Sequence, residues 1–350
     1  MATHLLLANP TAKSGKNAAR IETVRALLDR AGIAHRFEAT LPGGETVALV
    51  RDALRGDEGL TTAIAMGGDG TFAEVAKGIL ASGRVESVAL AMLPTGTAND
   101  QGKSFGLSSD DTSLERNVGV IRDGVETRLD VGAITALGTP GPNGEDIVVR
   151  EDHFFDSAGW GISPRTLALR NEDRETIESI PIVREIWRDQ LVYAGALLRT
   201  FLQGWLEDDR FDVRVVADGV THEWTGLLDL VIKGTRIYGG IWVIDPASKH
   251  DDGLFEIEPF RGKLDWSSKA LVALDRTGRV EETLALAGVE HSQGIRAKEI
   301  ELTLLPHEVP LAAQIDGEEF PFSPRVRVSV FQNAIRLIVP REHADSSSPA

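Results

Sequence analysis

Three short glycine-containing loops hold the residues of this sequence that are best suited to chemistry. They are Asn9–Lys16 (NPTAKSGK), Gly67–Thr71 (GGDGT) and Pro94–Asp100 (PTGTAND). Glycine lets the backbone approach a phosphate closely, and a helix that begins at such a loop presents free N–H groups to an anion. Asp69 and Asp100 within the loops are natural partners of Mg²⁺ beside a phosphate. The loops predict phosphate binding, although each one alone could be an ordinary strand-to-helix turn with Asp as its N-cap.

The elements around the loops predict that the loops meet. Short apolar runs indicate buried strands at His4–Asn9, His35–Ala39, Thr61–Met66 and Val88–Leu93. Amphipathic patterns indicate helices at about Asn17–Ala31, Glu45–Arg55 and Thr71–Ala81. This alternation is typical of a mostly parallel, doubly wound sheet covered on both faces. Ligands bind such sheets at the carboxyl ends of the strands, where all three loops are expected.

The pattern changes near Arg128 to many short strands separated by turn signals. The predicted strands are Leu129–Ala136, Asp146–Asp156, Asp212–Ala217, Thr225–Lys233, Gly240–Asp245, Leu254–Pro259, Glu299–Leu304, Arg325–Phe331 and Ala334–Val339. A long helix is predicted at about Pro181–Glu207. The fold class is therefore α/β plus β: an α/β nucleotide-binding domain at residues 1–126, an antiparallel β-sandwich domain at 127–340 and a disordered tail at 341–350.

Composition excludes several classes of function. The 37 Lys and Arg against 53 Asp and Glu give a net charge of −16, and we find no basic cluster, so a nucleic-acid partner is not expected. The absence of cysteine excludes disulfides and thiolate chemistry. No apolar run reaches the ~18 residues of a membrane span, and the N-terminus lacks a signal peptide's basic region. We expect a cytoplasmic protein that visits a membrane surface only transiently.

The three loops together resemble the catalytic domain of diacylglycerol kinases, which bacterial lipid kinases and sphingosine and ceramide kinases share. GGDGT alone is less specific, because NAD kinases and phosphofructokinases also carry it. GGDGT followed by the third loop is more specific. The resemblance extends over roughly Leu5 to Val339 through four further segments in the family's order, namely Phe155–Gly161 (FDSAGWG), Gly239-Gly240, Lys249–Leu254 (KHDDGL) and Ile315–Glu318 (IDGE).

The resemblance implies a nucleotide domain like that of NAD kinases and diacylglycerol kinases, with ATP and Mg²⁺ as cofactors. The implied nucleotide contacts are Asn9, Pro10, Thr11, Gly15, Lys16, Thr40, Gly67, Gly68, Asp69, Gly70, Thr71, Glu74, Gly96, Thr97, Asn99 and Asp100. Asp69 and Asp100 would organise the catalytic Mg²⁺. Asp316 with Glu318 would take the proton of the lipid hydroxyl. Asp252, with the main-chain oxygens of Lys249 and Leu254, would form a separate structural Mg²⁺ site.

For Asp316 the residues alone leave two interpretations open. The first is a catalytic base on a strand, aimed across the interdomain cleft at the ATP site. The second is a β-turn Asp-Gly with a solvated charge. The Asp-Asp-Gly sequence around Asp252 has the same ambiguity, since it is typical of turns.

The predicted function is an ATP- and Mg²⁺-dependent lipid kinase that phosphorylates a primary hydroxyl of diacylglycerol or a related lipid. The alternatives are a ceramide or sphingoid kinase, an NAD or sugar kinase, and a non-catalytic nucleotide or lipid sensor. The lipid would be presented at a membrane surface, where the helix at Pro181–Glu207 could make peripheral contact. The protein is expected to be a monomer or a homodimer.

Overall fold

The structure, a computed structural model, describes residues 3–12, 16–96, 99–164, 210–238, 242–243, 245, 248–262, 265, 269, 292–305 and 311–344. The helices are α1 (Lys16–Arg30), α2 (Glu45–Gly56), α3 (Asp69–Ser82), α4 (Asp100–Ser104) and α5 (Leu114–Asp123). The strands of the first half are β1 (Thr3–Ala8), β2 (His35–Ala39), β3 (Leu60–Gly67), β4 (Ala89–Pro94), β5 (Glu126–Leu137), β6 (Val148–Phe154) and β7 (Ser157–Gly161).

The second half has a 3₁₀ helix at Arg341–His343, where the disordered tail was predicted to begin, and otherwise consists mainly of strands in the described residues. They are β8 (Phe211–Ala217), β9 (Val220–Leu227), β10 (Asp229–Lys233), β11 (Ile237–Tyr238), β12 (Trp242–Val243), β13 (Phe255–Phe260), β14 (Ile295–Ala297), β15 (Glu299–Leu304), β16 (Ala313–Ile315), β17 (Glu318–Phe320) and β18 (Arg325–Ile338). None of the helices in this described part of the chain is both long and apolar enough to cross a bilayer.

The first half forms the expected doubly wound sheet. Strands β2, β1, β3 and β4 pair in that order, and all three pairings are parallel. Successive residues of β1 serve opposite faces: Leu5 and Leu7 belong to the core that contains residues of α2 and α3, whereas Leu6 and Ala8 belong to the core that contains residues of α1 and α5. Both faces of β1 are buried because its residues are apolar without alternation.

The sheet continues from the first half into the second through β18. Its end pairs in parallel with β4 at Arg336 and Leu337, and most of its length pairs antiparallel with β5. Strands β15, β8 and β9 extend the same sheet, which has ten strands in total. A second sheet has the order β14-β13-β10-β7-β16-β17. One apolar core joins residues of both sheets, so the C-terminal part is an antiparallel β-sandwich.

Two of the predicted strand divisions are wrong, and the strand β7 was missed. The predicted strand Thr225–Lys233 is two strands, because the positive φ of Gly226 lets the chain pass from the first sheet to the second. The strand predicted at Asp146–Asp156 corresponds to β6 alone, and the next strand, β7, lies in the second sheet and was not predicted. Conversely, the two strands predicted around Asn333 are one bulged strand, β18, whose register shifts at this point.

Candidate active site

The three glycine-containing loops meet at one edge of the parallel sheet. They follow the carboxyl ends of β1, β3 and β4, and the helices α1, α3 and α4 begin where they end. Gly15 and Thr97 lie outside the described residues, as does the side chain of Lys16. The described members of the predicted nucleotide set therefore lie where a parallel sheet presents its ligand-binding edge.

The first loop is shaped by Asn9. Its carboxamide oxygen accepts hydrogen bonds from the backbone N–H and the hydroxyl of Thr11, at 2.9 and 2.8 Å. Asn17 in α1 donates to the Asn9 carbonyl at 2.6 Å. Pro10 lies between these contacts and is half-buried. Thr40 follows β2 and donates its backbone N–H to the carbonyl of Ala8, so it lies beside the start of this loop.

The second and third loops are in direct backbone contact. The carbonyl of Gly67 accepts hydrogen bonds from the N–H groups of Thr95 and Gly96, at 2.7 and 3.2 Å. A Cβ at Gly96 would lie only 2.5 Å from the Cα of Gly68, and a Cβ at Gly67 would lie 2.2 Å from the hydroxyl of Thr71. Side chains cannot be added at these positions without moving the backbone or the start of α3. The glycines thus keep a surface of bare backbone, as phosphate binding requires.

Polar side chains fix the start of α4 against the start of α3. Asn99 has φ of 53° and exchanges two hydrogen bonds with the backbone of Gly96, at 3.0 and 2.7 Å. Asp69, the first residue of α3, accepts the N–H of Gln101 at 3.2 Å. Asp100 is buried as the first residue of α4. Two of the predicted Mg²⁺-organising residues therefore lie at adjacent helix starts.

The carboxyl groups in this region repel one another. Burial raises the pKa of Asp69, and the charge of Asp156 raises it further, while the N–H groups at the start of α4 act in the opposite direction. Burial also raises the pKa of Glu74, one turn further along α3, and the charge of Glu318 adds to that effect. A cation between the two halves would relieve this repulsion.

Asp316 occupies a hairpin turn and not a strand, which corrects the sequence prediction. Ile315 pairs with Glu318, and both Asp316 (φ 48°) and Gly317 (φ 79°) have positive φ. Asp-Gly fits such a tight turn between β16 and β17. The carboxylate is not solvated as an isolated turn Asp would be, because it accepts three backbone N–H groups at 2.8 to 3.1 Å, those of Phe155, Asp156 and Ser157.

Burial and the charge of Asp156 together raise the pKa of Asp316 to about 7, although the three N–H groups oppose the shift. A carboxyl group with this pKa is half ionised near neutral pH. It can therefore accept a proton under conditions in which an ordinary carboxylate would be too weak a base.

The β16–β17 hairpin faces the start of α3. A Cβ at Gly70 would lie 3.1 Å from a carboxylate oxygen of Glu318. Lys77 of α3 and Asp152 of β6 form an ion pair at 2.6 Å in the same interface. The structure thus brings Asp316 and Glu318 of the second half to the nucleotide loops of the first, although they are separated by some 250 positions in the sequence.

Asp156 and Lys233 are in this region and were not singled out from the sequence. Both side chains are buried, and Lys233 Nζ lies 2.8 Å from Asp156 Oδ1. A signal was available: each charge stands in an apolar run, FFDSAGWG for Asp156 and LDLVIK for Lys233. A buried charge requires a partner, so each of these charges predicts an opposite charge beside it without saying which residue supplies it.

The predicted structural Mg²⁺ loop is held against β5. Asp130 of β5 accepts the N–H of Gly253 at 2.6 Å and that of Asn333 at 2.6 Å, and donates its own N–H to the carbonyl of His250. Burial raises the pKa of Asp130 to about 6. Asp252 accepts the N–H of Leu254 at 3.1 Å, which forms a local turn next to exposed Lys249.

The residues present fit ATP and Mg²⁺. The backbone of the glycine loops and the start of α3 suit phosphate oxygens. In the described part of the chain no three acidic or histidine side chains converge as metal ligands. Mg²⁺ is commonly held by one or two carboxylates together with substrate phosphates and water, so Asp69 and Asp100 would be sufficient as protein partners.

Comparisons with known proteins identify the family of this chain. A family model described as the diacylglycerol kinase catalytic domain matches residues 3–134. A protein named "Probable lipid kinase YegS-like" from Klebsiella pneumoniae is 36% identical over 332 residues, which cover 93% of each chain. A protein of the same name from Alcanivorax borkumensis is 23% identical over 329 residues, or 93% of this chain and 94% of its own.

A similar fold occurs in a solved structure described as that of a diacylglycerol kinase from Bacillus anthracis. Its TM-score is 0.67 at 19% identity, and the match covers 97% of both chains. The sequence similarity to the Klebsiella protein extends through both halves of the chain. This chain therefore belongs to the YegS-like lipid kinases, a family that carries the diacylglycerol kinase catalytic domain.

Proposed function

We propose that this protein transfers the γ-phosphoryl group of ATP, with Mg²⁺, to a primary hydroxyl of diacylglycerol or a related lipid at a membrane surface. One observation carries the proposal: the Asp316–Glu318 hairpin faces the start of α3, so that a carboxylate oxygen of Glu318 would contact a Cβ at Gly70. This arrangement supports a role of the hairpin as proton acceptor for an alcohol beside a phosphate-binding loop.

In this mechanism the protein positions the reactants and neutralises charge, which is most of what phosphoryl transfer needs. The predicted nucleotide residues hold ATP through Asn9, Thr40, Glu74 and the glycine loops. Bound Mg²⁺ would neutralise the phosphate oxygens, with Asp69 and Asp100 as its partners. Asp316 accepts the proton of the lipid hydroxyl as that oxygen attacks the γ-phosphorus, while the bond from the γ-phosphorus to the β,γ-bridging oxygen breaks and ADP leaves. Glu318 lies beside Asp316 on the same hairpin.

The test measures transfer of labelled γ-phosphate from ATP and Mg²⁺ to a panel of lipids in mixed micelles. We expect Asp316→Asn to lose at least ~100-fold in kcat, the contribution typical of a general base, while ATP binding is kept. The panel holds diacylglycerol, ceramide and sphingosine, with NAD and a sugar as separate acceptors. Labelling of NAD or the sugar alone would show an NAD or sugar kinase, and ATP binding without any transfer would show a sensor.

Asp218 offers a matched control for Asp316. It also precedes a Gly in a two-residue hairpin turn, has φ of 47°, and accepts backbone N–H groups of a neighbouring strand, those of Lys298 and Glu299. Asp218→Asn therefore removes the same charge from the same kind of turn. We expect it to keep full activity. Equal activity losses in the two variants would mean that Asp316 contributes only to the stability of the fold and not to catalysis.

We also propose that Asp252, with the main-chain oxygens of Lys249 and Leu254, binds a structural Mg²⁺. The turn around the positive φ of Gly253 keeps these oxygen donors close in the chain. A ligand that binds only the folded state raises its stability. Mg²⁺ without nucleotide should therefore raise the Tm of the wild type and not that of Asp252→Asn. An equal rise in both proteins would rule this site out.

A further inference from the structure

The buried ion pair between Lys233 and Asp156 is the strongest charge feature that the proposed mechanism does not use. Lys233 ends β10, and Asp156 lies in the link between β6 and β7. Their side chains are only 2% and 6% exposed. Among the residues that the structure describes, Lys233 is the one Lys or Arg that is buried. Removing one partner of such a pair leaves an uncompensated buried charge, which is far more costly than the intact pair.

The ammonium group of Lys233 is held in one orientation. It donates to Asp156 Oδ1 at 2.8 Å, to the hydroxyl of Thr235 at 3.3 Å and to the carbonyl of Ile237. Thr235 also donates its hydroxyl to the same Asp156 oxygen. A Lys has three N–H donors, and all three have an acceptor here. The Asp156 carboxylate is thus fixed by Lys233 and Thr235 together.

Asp156 connects the two sides of the cleft. Its backbone N–H donates to Asp316 Oδ1 at 2.8 Å, so any shift of Asp156 is passed to the proposed base. Its carboxylate lies near enough to repel both Asp69, on the nucleotide side, and Asp316, on the hairpin. The Asp156 carboxylate, which is paired with the Lys233 ammonium group, therefore acts on two further carboxyl groups, those of Asp69 and Asp316, before the negative charge of ATP is added.

We propose that Lys233 is a positioning residue of the transfer centre, which holds the Asp156 carboxylate and compensates its charge between Asp69 and Asp316. This inference rests on the lipid kinase function proposed above. Lys233 acts through Asp156 and needs no contact with either substrate. Without the Lys233 ammonium group, the negative charge of Asp156 would act on Asp316 without compensation. The link between β6 and β7 would also lose the ion pair that fixes it to β10.

The experiment compares Lys233→Met, Asp156→Asn and the double variant with the wild type. A matched control is Lys269→Met, because Lys269 and Glu258 form a second largely buried pair in the C-terminal half, with 2.7 Å between Nζ and Oε2 and side chains 9% and 10% exposed. The measurements are kcat and its pH dependence with labelled ATP and lipid micelles, together with Tm.

Several charged groups around Asp316 enter the pH dependence. They are Asp156 in the turn that Asp316 binds, Lys233 behind Asp156, Glu318 on the same hairpin, Glu74 and Lys77 on α3, Asp152 on β6 and Asp69 across the cleft.

We expect Lys233→Met to lower kcat ~100-fold, the usual effect of a misplaced catalytic group. The acid limb of its pH profile should move to higher pH, because an uncompensated carboxylate stabilises the protonated form of Asp316. Asp156→Asn should move the limb to lower pH, and the double variant should recover most of the lost kcat. Lys269→Met should lower Tm and leave kcat and the limb unchanged.

If the charges matter, the acid limb of the pH profile shifts in opposite directions in Lys233→Met and Asp156→Asn. If the pair has only a structural role, the limb changes in the same way in both variants. Shifts in the same direction, or a kcat of Lys233→Met no lower than that of Lys269→Met, would overturn the inference. If Lys233→Met does not fold, the double variant is compared with Asp156→Asn. A kcat of the double variant that is ~100-fold below that of Asp156→Asn would overturn the inference, because Lys233 would then act without Asp156. A wild type that labels no lipid would overturn the proposed function and this inference with it.

Discussion

At the scale of single residues, the candidate site is a concentration of acidic groups with a shared electrostatic environment. Asp69 and Asp316 belong to different halves of the chain, yet the pKa of each is raised by burial and then by the charge of the same residue, Asp156. The ionisation of both groups therefore depends on the charge of Asp156, and removal of that charge should lower the pKa of each.

The pKa of Asp316, raised to about 7 by burial and by Asp156, predicts the direction of the pH dependence. A general base must be ionised, so activity is present above this pKa and is lost as the pH falls through it. We expect kcat/KM for the lipid to fall about tenfold per pH unit below pH ~7. Steady-state rates between pH 5 and 9 measure this, with ATP binding followed over the same range as the control. Full activity at pH 5.5 would contradict the assignment of Asp316 as the base.

Sequence motifs located the glycine loops and the hairpin residues, because those signals are local. The Asp156–Lys233 pair could not be located in that way, since 77 positions separate its members. Each is a single charge in an apolar run until the fold pairs β7 with β10. Interactions whose two halves lie in distant strands are fixed by tertiary packing, and the residue types alone do not specify the partner.

At the scale of elements, strands and helices with a clear period were predicted to within a few residues in the described part of the chain. The helix predicted at about Pro181–Glu207 lies outside the described residues. Helix α5 was missed, although Leu114, Val118 and Ile121 repeat at helical spacing and are buried on one face. The transitions β6–β7 and β9–β10 were also missed. At both places apolar residues lie on either side of the point where the chain moves from one sheet to the other, so hydrophobic periodicity alone does not mark the change.

The hairpin turn that holds Asp316 gives a prediction at this scale. Gly317 has φ of 79° and Gly219, in the comparable β8–β9 turn, has φ of 83°; a Cβ at either position would meet no atom within 4 Å. Gly317→Ala and Gly219→Ala should each lower the free energy of unfolding by ~1–2 kcal/mol, the cost of an L-residue at positive φ. Only Gly317→Ala should also lower kcat, because its turn positions Asp316. Denaturant unfolding and the lipid kinase assay measure the two effects, and a loss of kcat in both variants would contradict this.

At the scale of the whole molecule, the two halves share one ten-stranded sheet. Ile335, Leu337 and Val339, from the end of the chain, lie in the same core as Leu5 and Leu7 from its beginning. The matched diacylglycerol kinase catalytic domain ends at residue 134 and so excludes β18. The N-terminal α/β half is therefore completed by β18, which is also the last described strand of the β-sandwich.

A fragment of residues 1–134 should accordingly fail to fold stably. Without β18, β4 loses its neighbour on one side, and β5 loses an antiparallel partner along most of its length. Both strands would then expose unpaired edges and apolar residues. Circular dichroism and dye binding should show a partly structured, aggregation-prone fragment beside a cooperative full chain. A fragment that unfolds cooperatively and binds ATP like the full chain would refute the expectation.

The path of β18 also has a consequence for how relatives of this protein can recombine. The nucleotide-binding half begins the chain and also ends it, since β1 and the end of β18 lie in one sheet. In topology, the segment between β5 and β18 is an insertion into that half. A chimera that exchanges lipid specificity should therefore transplant the interior segment, with two junctions, one in β5 and one in β18, and not a C-terminal half with a single junction.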